Sequence, residues 1–408
     1  MFVFPINRVP DEMNHARMTW ETFHKPTENS FKWMDEIPSN DKVKPREYKQ
    51  LLARKIEMKN EPFKFGISLK TISFLPQLIG MTIGSWISPS VGLIIYMGRI
   101  FNALAYILGL YFLIRYFKYG KTALMFISLL PIMVQQASSL SYDVMNYLEV
   151  MLAIGFITNL AYSKRFTNRN FVQVIGLAIL LLATKPNNIL LLGLIPFVSF
   201  EFKGILKVLN RPFKSLKIIV SRYKFVFYLL LLITIGFILQ FLMRNEGGLV
   251  HYIHVLLNTL VNARQNGDLN SILTIGVFGY LGNFTLQLPL WLIFIDIAVM
   301  VLIFLANEKD FFSKDFSIFA AWLFPIQVLA TVTVMYLQWT PIVLGHGASV
   351  SVGSQGRYFT PFLILFLPLV ANLGNFEISQ NKVLKISTIT LLVNFLISIF
   401  LIIPFYWM

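Results

Sequence analysis

Long apolar runs separated by short polar loops constrain this chain more than any other feature. A helix that crosses a membrane needs about 20 consecutive apolar residues. The chain is 56% hydrophobic and only 13% charged, whereas soluble domains carry about 25% charged residues. The apolar runs occupy residues 91–116, 121–138, 143–162, 170–184, 187–200, 225–243, 289–306, 316–338, 358–374 and 386–406. The pattern predicts an all-α, polytopic membrane protein with about 10–11 spans.

The first part of the chain has a different composition. Residues 1–6 look like the last turn of a transmembrane helix, so we expect the first such helix to be largely missing from this sequence. Residues 7–64 are polar and carry charges of both signs, with an amphipathic helix predicted over 44–59. That helix would lie at the membrane surface, against the protein or in solvent. We therefore predict two domains, an acidic extracytoplasmic segment over 1–90 and a transmembrane bundle over 91–408.

Basic residues in short loops predict the orientation of the bundle. Lys and Arg concentrate around residues 115–121, 164–169 and 203–224, and such loops usually face the cytoplasm. The net charge of +15 is therefore an orientation signal and does not indicate nucleic-acid binding.

Residues 65–87 do not fit this topology as a complete span if the segment 7–64 faces outward. Pro76, Gly80 and Gly84 interrupt the run, and irregular backbone at membrane depth needs cover from protein or water. We interpret 65–87 as a re-entrant or interfacial helix on the outer side. A complete extra span, with the segment 7–64 in the cytoplasm, is the alternative.

Polar residues that are costly inside a membrane gather on the predicted outer side. Pro10 suits the first turn of a helix, where Asp11 and Glu12 favour the helix dipole, and His15 shares a face with Asp11. Taken one at a time, each of these polar residues is also explained by a capping or snorkelling role without function. The others on this side are Arg99, Asp143, Lys185 and Arg357. Together the three basic residues are predicted to surround an anion, with carboxylates beside it.

Such a site suits the transfer of a sugar from a polyprenyl-phosphate donor. Basic residues can stabilise the phosphate as it leaves, and one carboxylate can take the proton of the acceptor hydroxyl. This is a smaller set of groups than the two carboxylates of a glycosidase.

The absence of cysteine excludes disulfides and thiolate metal sites. In the predicted outer loop 244–271, His251 and His254 are expected to be interfacial, and Glu246 and Asp268 to be solvated.

Several short motifs in a fixed order resemble the DUF2142 family of predicted bacterial membrane proteins. These motifs are Pro10-Asp11-Glu12 with His15, Tyr96-Met97-Gly98-Arg99, Ser141-Tyr142-Asp143, Lys185-Pro186, Gly279-Tyr280-Leu281-Gly282 and Gln355-Gly356-Arg357-Tyr358. That family looks distantly related to the GT-C glycosyltransferases, polytopic enzymes with an acidic motif in the first extracytoplasmic loop. The resemblance implies a GT-C-like fold in a bacterial plasma membrane, with Asp11 or Glu12 as the catalytic carboxylate.

The leading hypothesis is a GT-C-type glycosyltransferase that acts on a cell-envelope glycan at the outer face. Asp11 would be the base, with Glu12 as its partner or as a ligand of a divalent cation, and His15 beside them. Arg357, with Tyr358, and Lys185 would bind the donor phosphate. Arg99 would hold the acidic loop or assist, and Asp143 would orient the acceptor.

Partners expected from this hypothesis are the lipid-linked donor, the glycan acceptor and membrane lipids. Three alternatives stay open: a transporter or flippase of lipid-linked glycans, a glycan polymerase or ligase, and a scaffold without chemistry.

Overall fold

The predicted all-α fold is confirmed by a computed structural model, which describes residues 3–39, 42–261, 273, 275–373 and 378–408. These residues are mostly helical and form almost no sheet. The strands make two short ladders. β1 (Arg165–Phe166) pairs in parallel with β2 (Glu201–Phe202), and β3 (Tyr280–Leu281) pairs antiparallel with β4 (Leu286–Gln287).

The N-terminal segment packs around its own small core against the first long helix. Its elements are α1 (Glu12–Trp20), α2 (Lys32–Asp35), α3 (Pro45–Ala53), 3₁₀ turns at Met58–Asn60 and Leu69–Phe74, and α4 (Leu75–Ile87). Trp20, Phe31 and Met34 are buried with Ile94 and Leu140 in this core. The N-terminal segment is therefore folded onto the bundle and is not an extended loop.

Two predictions about this segment need correction. Residues 3–6 do not form a helical turn. The carbonyl oxygens of Phe4 and Pro5 instead accept hydrogen bonds from Arg99 Nη1 and Nη2 at 2.8 and 3.0 Å. The amphipathic helix predicted over 44–59 ends at Ala53. Beyond it, the Ile56 N–H donates to the Pro89 carbonyl, which draws the chain out of the helix.

Helix α4 lies antiparallel against α5 (Val91–Tyr116) at very short range. A Cβ atom added to Gly80 would lie 2.3 Å from the Met97 carbonyl oxygen, and one added to Gly84 would lie 2.8 Å from that of Leu93. Small residues allow such close approach of helices in membranes. At about 1.5 Å per residue, the 13 residues of α4 reach only about 20 Å. That length is shorter than the about 20 residues that a complete span needs, and the re-entrant interpretation stays a prediction.

The remaining helices complete the bundle. In chain order they are α6 (Lys121–Ser128), α7 (Pro131–Ala137), α8 (Asp143–Ser163), α9 (Asn168–Thr184), 3₁₀ segments at Pro186–Phe197 and Gly204–Leu209, α10 (Asn210–Arg222), α11 (Lys224–Leu242), a 3₁₀ turn at Arg244–Glu246, α12 (Gly248–Leu260), α13 (Ile275–Phe278), α14 (Leu290–Leu305), α15 (Lys314–Gln338), α16 (Thr340–Leu344), 3₁₀ segments at Gly356–Tyr358 and Thr360–Phe366, α17 (Leu367–Ala371) and α18 (Gln380–Trp407). Within the described residues, α5, α8, α11, α15 and α18 are long and apolar enough to cross a membrane.

Several predicted spans are broken or shorter than expected. The run 121–138 divides into α6 and α7, because Pro131 cannot continue the ladder of α6 and instead begins α7. The runs 187–200 and 358–374 contain 3₁₀ segments, each with Pro at its start. The 3₁₀ segments that begin at Pro186 and Gly356 lie at the turns that carry Lys185 and Arg357, so irregular backbone coincides with part of the predicted site.

Candidate functional site

Asp11 joins the beginning of the chain to a turn near its end. Its Oδ2 accepts hydrogen bonds from Arg357 Nη2 at 2.7 Å and from Gln355 Nε2 at 3.1 Å. Asp11 precedes α1 with a left-handed backbone (φ 63°), a conformation that Asp tolerates better than most residues. Its side chain is 33% exposed, so part of this carboxylate stays accessible.

Asp143 is the second carboxylate of the cluster, and it is fully buried. Its Oδ1 lies 2.7 Å from Lys185 Nζ, and its Oδ2 accepts a hydrogen bond from Arg357 Nε at 3.1 Å. Asp143 begins α8, while Lys185 lies in the turn where Pro186 follows the end of α9. Arg357 therefore bridges Asp11 and Asp143, so residues predicted from distant segments lie together.

Aromatic rings surround the cations of this cluster. Lys185 Nζ lies 3.7 Å from the ring centroid of Tyr358 and 5.4 Å from that of Tyr142. The rings of Tyr142 and His15 are 4.2 Å apart. Because an aromatic face attracts a cation, these rings help to keep the Lys185 ammonium charged although only 14% of the side chain is exposed.

Several buried polar atoms around Arg357 have no hydrogen-bond partner among the described residues. They are Arg357 Nη1, His15 Nδ1, Gln355 Oε1, Ser354 Oγ and Tyr147 OH. Unpartnered polar atoms are rare in folded proteins and each calls for an explanation, such as a bound ligand or water. Arg357 in particular has a buried charged donor close to the partly exposed carboxylate of Asp11.

Glu12 and Arg99 form a separate ion pair beside this cluster, and neither side chain is exposed. Arg99 Nε and Nη2 donate to the two Glu12 carboxylate oxygens, both at 2.7 Å. The backbone N–H groups of Asn7 and Leu140 also donate to Glu12. This geometry favours the loop-holding role predicted for Arg99. It leaves Glu12 no exposed oxygen with which to act as a base or as a metal ligand.

The electrostatic environment gives Asp11 and His15 different ionisation states at neutral pH. Burial raises the pKa of Asp11, but the neighbouring Arg357 guanidinium outweighs it and holds the pKa below the ordinary value. Burial lowers the pKa of His15 to about 4, against the attraction of Asp11 and Asp143. At neutral pH the cluster therefore contains an ionised Asp11 and an uncharged imidazole.

The described residues contain no group of three His, Asp or Glu side chains placed to hold a metal ion. The carboxylates of Asp11, Glu12 and Asp143 each pair with a basic side chain. The arrangement at this site is thus a set of ion pairs with one accessible carboxylate.

The prediction that Glu246 is a solvated charge is wrong. Its residue is 5% exposed, Oε1 lies 2.5 Å from His346 Nδ1, and Oε2 accepts a hydrogen bond from the Gly347 N–H at 2.8 Å. The pair tethers residues 345–355, the segment that leads to Arg357. His251 also contacts this segment, since its Nε2 lies 3.2 Å from the Ala348 carbonyl oxygen. Asp268 lies outside the described residues.

A close backbone contact supports Arg357 from behind. A Cβ atom on Gly356 would lie 2.2 Å from the carbonyl carbon of Gly276, and Thr360 Oγ1 donates to the Val277 carbonyl at 2.7 Å. Only glycine allows such an approach. The packing of α13 against this turn fixes the backbone that presents the guanidinium.

Tyr142, Tyr147, Ser354 and Gln355 are cluster residues to which sequence reasoning assigned no role. Tyr142 directly precedes Asp143, and Gln355 lies two positions before Arg357. Their closeness in sequence to a charged site residue was the available signal. Tyr147 lies one turn after Asp143 on α8 within electrostatic range of Arg357, and its helical spacing from Asp143 was the available signal.

Comparison with known proteins identifies a family. The model of the DUF2142 family, described as a predicted membrane protein, matches residues 36–366. The matched region includes Arg99, Asp143, Lys185 and Arg357 and begins after Asp11. No curated protein and no solved structure matches the chain.

Proposed function

The chain belongs to the DUF2142 family of predicted membrane proteins, and we propose that it is a membrane glycosyltransferase. It would move a sugar from a polyprenyl-phosphate donor to a cell-envelope glycan at the extracytoplasmic face. One observation carries the proposal: the partly exposed Asp11 carboxylate lies 2.7 Å from Arg357, whose Nη1 has no hydrogen-bond partner among the described residues.

Asp11 is the proposed general base. Both of its side-chain hydrogen bonds fall on Oδ2, which leaves Oδ1 for the hydroxyl of an acceptor. The lowered pKa of Asp11 keeps the carboxylate ionised. A base must lie within hydrogen-bond reach of the proton that it removes, and the partial exposure of Asp11 permits that approach.

Arg357 and Lys185 are the proposed phosphate-binding residues. The acceptor oxygen attacks the anomeric carbon, the bond from that carbon to the phosphate oxygen breaks, and the electron pair remains on the phosphate. The acceptor proton passes to Asp11. Negative charge on the phosphate therefore grows during the reaction, and preorganised cations stabilise such charge best in a site that excludes water.

Asp143 is a positioning residue in this proposal. Its two oxygens hold Lys185 and Arg357 at 2.7 and 3.1 Å, so the two cations are fixed before the donor arrives. A fixed arrangement avoids reorganisation during the reaction. The charges of Asp11 and Asp143 also balance those of Lys185 and Arg357, which makes burial of the cluster tolerable.

The test is a transfer assay with the purified protein in lipid vesicles, supplied with defined polyprenyl-phosphate sugars and envelope glycan acceptors. We expect Asp11→Asn to lower the transfer rate about 10²–10⁴-fold, the usual contribution of a general base. Asp35→Asn is the matched control, because Asp35 is an exposed carboxylate of the same segment that pairs with Arg17. Equal rates for Asp11→Asn and wild type would refute the assignment. Movement of the lipid-linked sugar across the bilayer without a transferred product would support transport instead.

A further inference from the structure

Helix α10 (Asn210–Arg222) has two chemically distinct faces, and none of its residues is buried. At helical spacing, Phe213, Leu216, Ile219 and Val220 share one side. The opposite side carries mostly basic and hydroxyl side chains, which are Arg211, Lys214, Ser215, Ser221 and Arg222, together with the apolar Ile218. Lys217 lies between the two faces, with its Nζ 4.8 Å from the centroid of the Phe213 ring. Leu216 is 57% exposed and Ile219 is 53% exposed. The protein thus covers only part of the apolar face.

Contacts at both ends place α10 at the level where apolar segments end. Near its start, the Phe213 ring lies 5.5 Å from that of Phe200. About one turn further on, Lys217 Nζ donates to the Val198 carbonyl, just beyond the apolar segment Pro186–Phe197. At its other end, only Tyr223 separates α10 from α11. No residue of α11 is buried and its composition is strongly apolar, as expected for a helix surrounded by lipid. Helix α10 therefore lies where two apolar segments end.

The charge of this region is of one sign. Residues 203–224 contain no Asp or Glu. Their basic residues are Lys203, Lys207, Arg211, Lys214, Lys217, Arg222 and Lys224. A basic, amphipathic helix at a membrane boundary binds by insertion of its apolar face and by attraction to anionic lipid headgroups. The uncovered apolar face and the uniform positive charge point to the same partner.

We propose that α10 is an interfacial helix that docks on a bilayer surface rich in anionic phospholipid. Leu216 and Ile219 insert at the level of the upper acyl chains. Arg211, Lys214 and Arg222 contact phosphate headgroups from the opposite side. The proposal is independent of the proposed sugar transfer, since α10 carries no residue of the cluster around Arg357.

Depth measurement on the full-length protein tests this proposal. The chain has no cysteine, so Leu216→Cys and Ser221→Cys each introduce a unique thiol, which is then labelled with a fluorophore. Ser221 is exposed on the polar face and is the matched control. In vesicles of phosphatidylglycerol and phosphatidylcholine, we expect brominated acyl chains to quench the label at position 216 at least threefold more than the label at 221. Equal quenching at the two positions, or a water-accessible label at 216, would overturn the proposal.

The lipid charge is tested with a neutralised variant. Replacement of Arg211, Lys214 and Arg222 by Gln should lower quenching at position 216 at least twofold in anionic vesicles, and vesicles of phosphatidylcholine alone should have the same effect on the native charges. A control variant changes Lys25, Lys42 and Lys49 to Gln, because these are exposed basic residues of the N-terminal segment. If quenching at position 216 is the same in anionic and neutral vesicles and in both charge variants, the proposal of an anionic lipid partner is contradicted. A label at 216 shielded from water and from brominated lipid would reveal a protein partner or a second copy instead.

Discussion

Adjacent residues Asp11 and Glu12 have opposite environments although their side chains carry the same carboxylate. Glu12 is enclosed by Arg99 and by two backbone N–H groups, whereas Asp11 keeps one third of its side chain exposed. A buried ion pair contributes little net stability, but removal of one partner leaves an uncompensated charge. The two carboxylates should therefore respond differently to the same substitution.

Glu12→Gln is predicted to destabilise the protein by about 3–5 kcal/mol, since Arg99 would then be buried without a counter-charge. Thermal unfolding in detergent measures this effect. Glu47→Gln is the control, because Glu47 pairs with Lys44 at the surface and such pairs contribute about 0–1 kcal/mol. A stable but inactive Glu12→Gln protein would instead give Glu12 a catalytic role.

His15 predicts a loss of stability in mildly acidic solution. Its pKa is about 4 in the folded protein and about 6.5 in an unfolded chain, so the unfolded state binds a proton first as the pH falls. Stability should decline between about pH 6.5 and 4, by on the order of 3 kcal/mol. The lowered pKa of Asp11 adds a further loss at lower pH. His15→Gln should flatten the decline in a pH series of melting temperatures, while His254→Gln, at an exposed position, should leave it unchanged.

Helix α4 depends on glycine for its place beside α5. Gly80→Ala would bring a methyl group within 2.3 Å of the Met97 carbonyl oxygen, and overpacking of this kind costs about 1–3 kcal/mol. Gly176→Ala in α9 is the matched control, since nothing lies within 4 Å of its added Cβ. We expect a lower melting temperature for Gly80→Ala alone. Equal melting temperatures for the two variants would show that α4 does not need this contact.

Among the helices, the sequence predicted the long ones better than the broken ones. Windows of apolar residues are sufficient to locate α5, α8 and α18, because hydrophobicity alone determines where a helix can cross lipid. The division at Pro131 and the short length of α4 depend on proline geometry and on glycine contacts with a neighbour. The same holds for the cluster. The topology predicted from the basic loops was sufficient to place Asp11, Asp143, Lys185 and Arg357 on one side of the membrane. The enclosure of Glu12 by Arg99 depends on tertiary packing, which the sequence pattern does not reveal.

The whole molecule is expected to present its N-terminal segment, which carries Asp11, and the basic helix α10 on opposite sides of the membrane. Because the chain lacks cysteine, Lys25→Cys and Lys214→Cys give unique thiols at exposed positions. A membrane-impermeant maleimide should label position 25 in intact bacterial cells and position 214 only after lysis. Labelling of position 214 in intact cells would reverse the orientation and place Asp11 in the cytoplasm.

The location of a bound donor tests the central claim most directly. An experimental structure of the protein in a lipid nanodisc, with a polyprenyl-phosphate sugar, would reveal which side chains contact the phosphate. The account predicts the phosphate within hydrogen-bond distance of Arg357 Nη1 and Lys185 Nζ, with the anomeric carbon facing Asp11 Oδ1. A donor bound elsewhere, with the contacts of Arg357 to Asp11 and Asp143 unchanged, would contradict it.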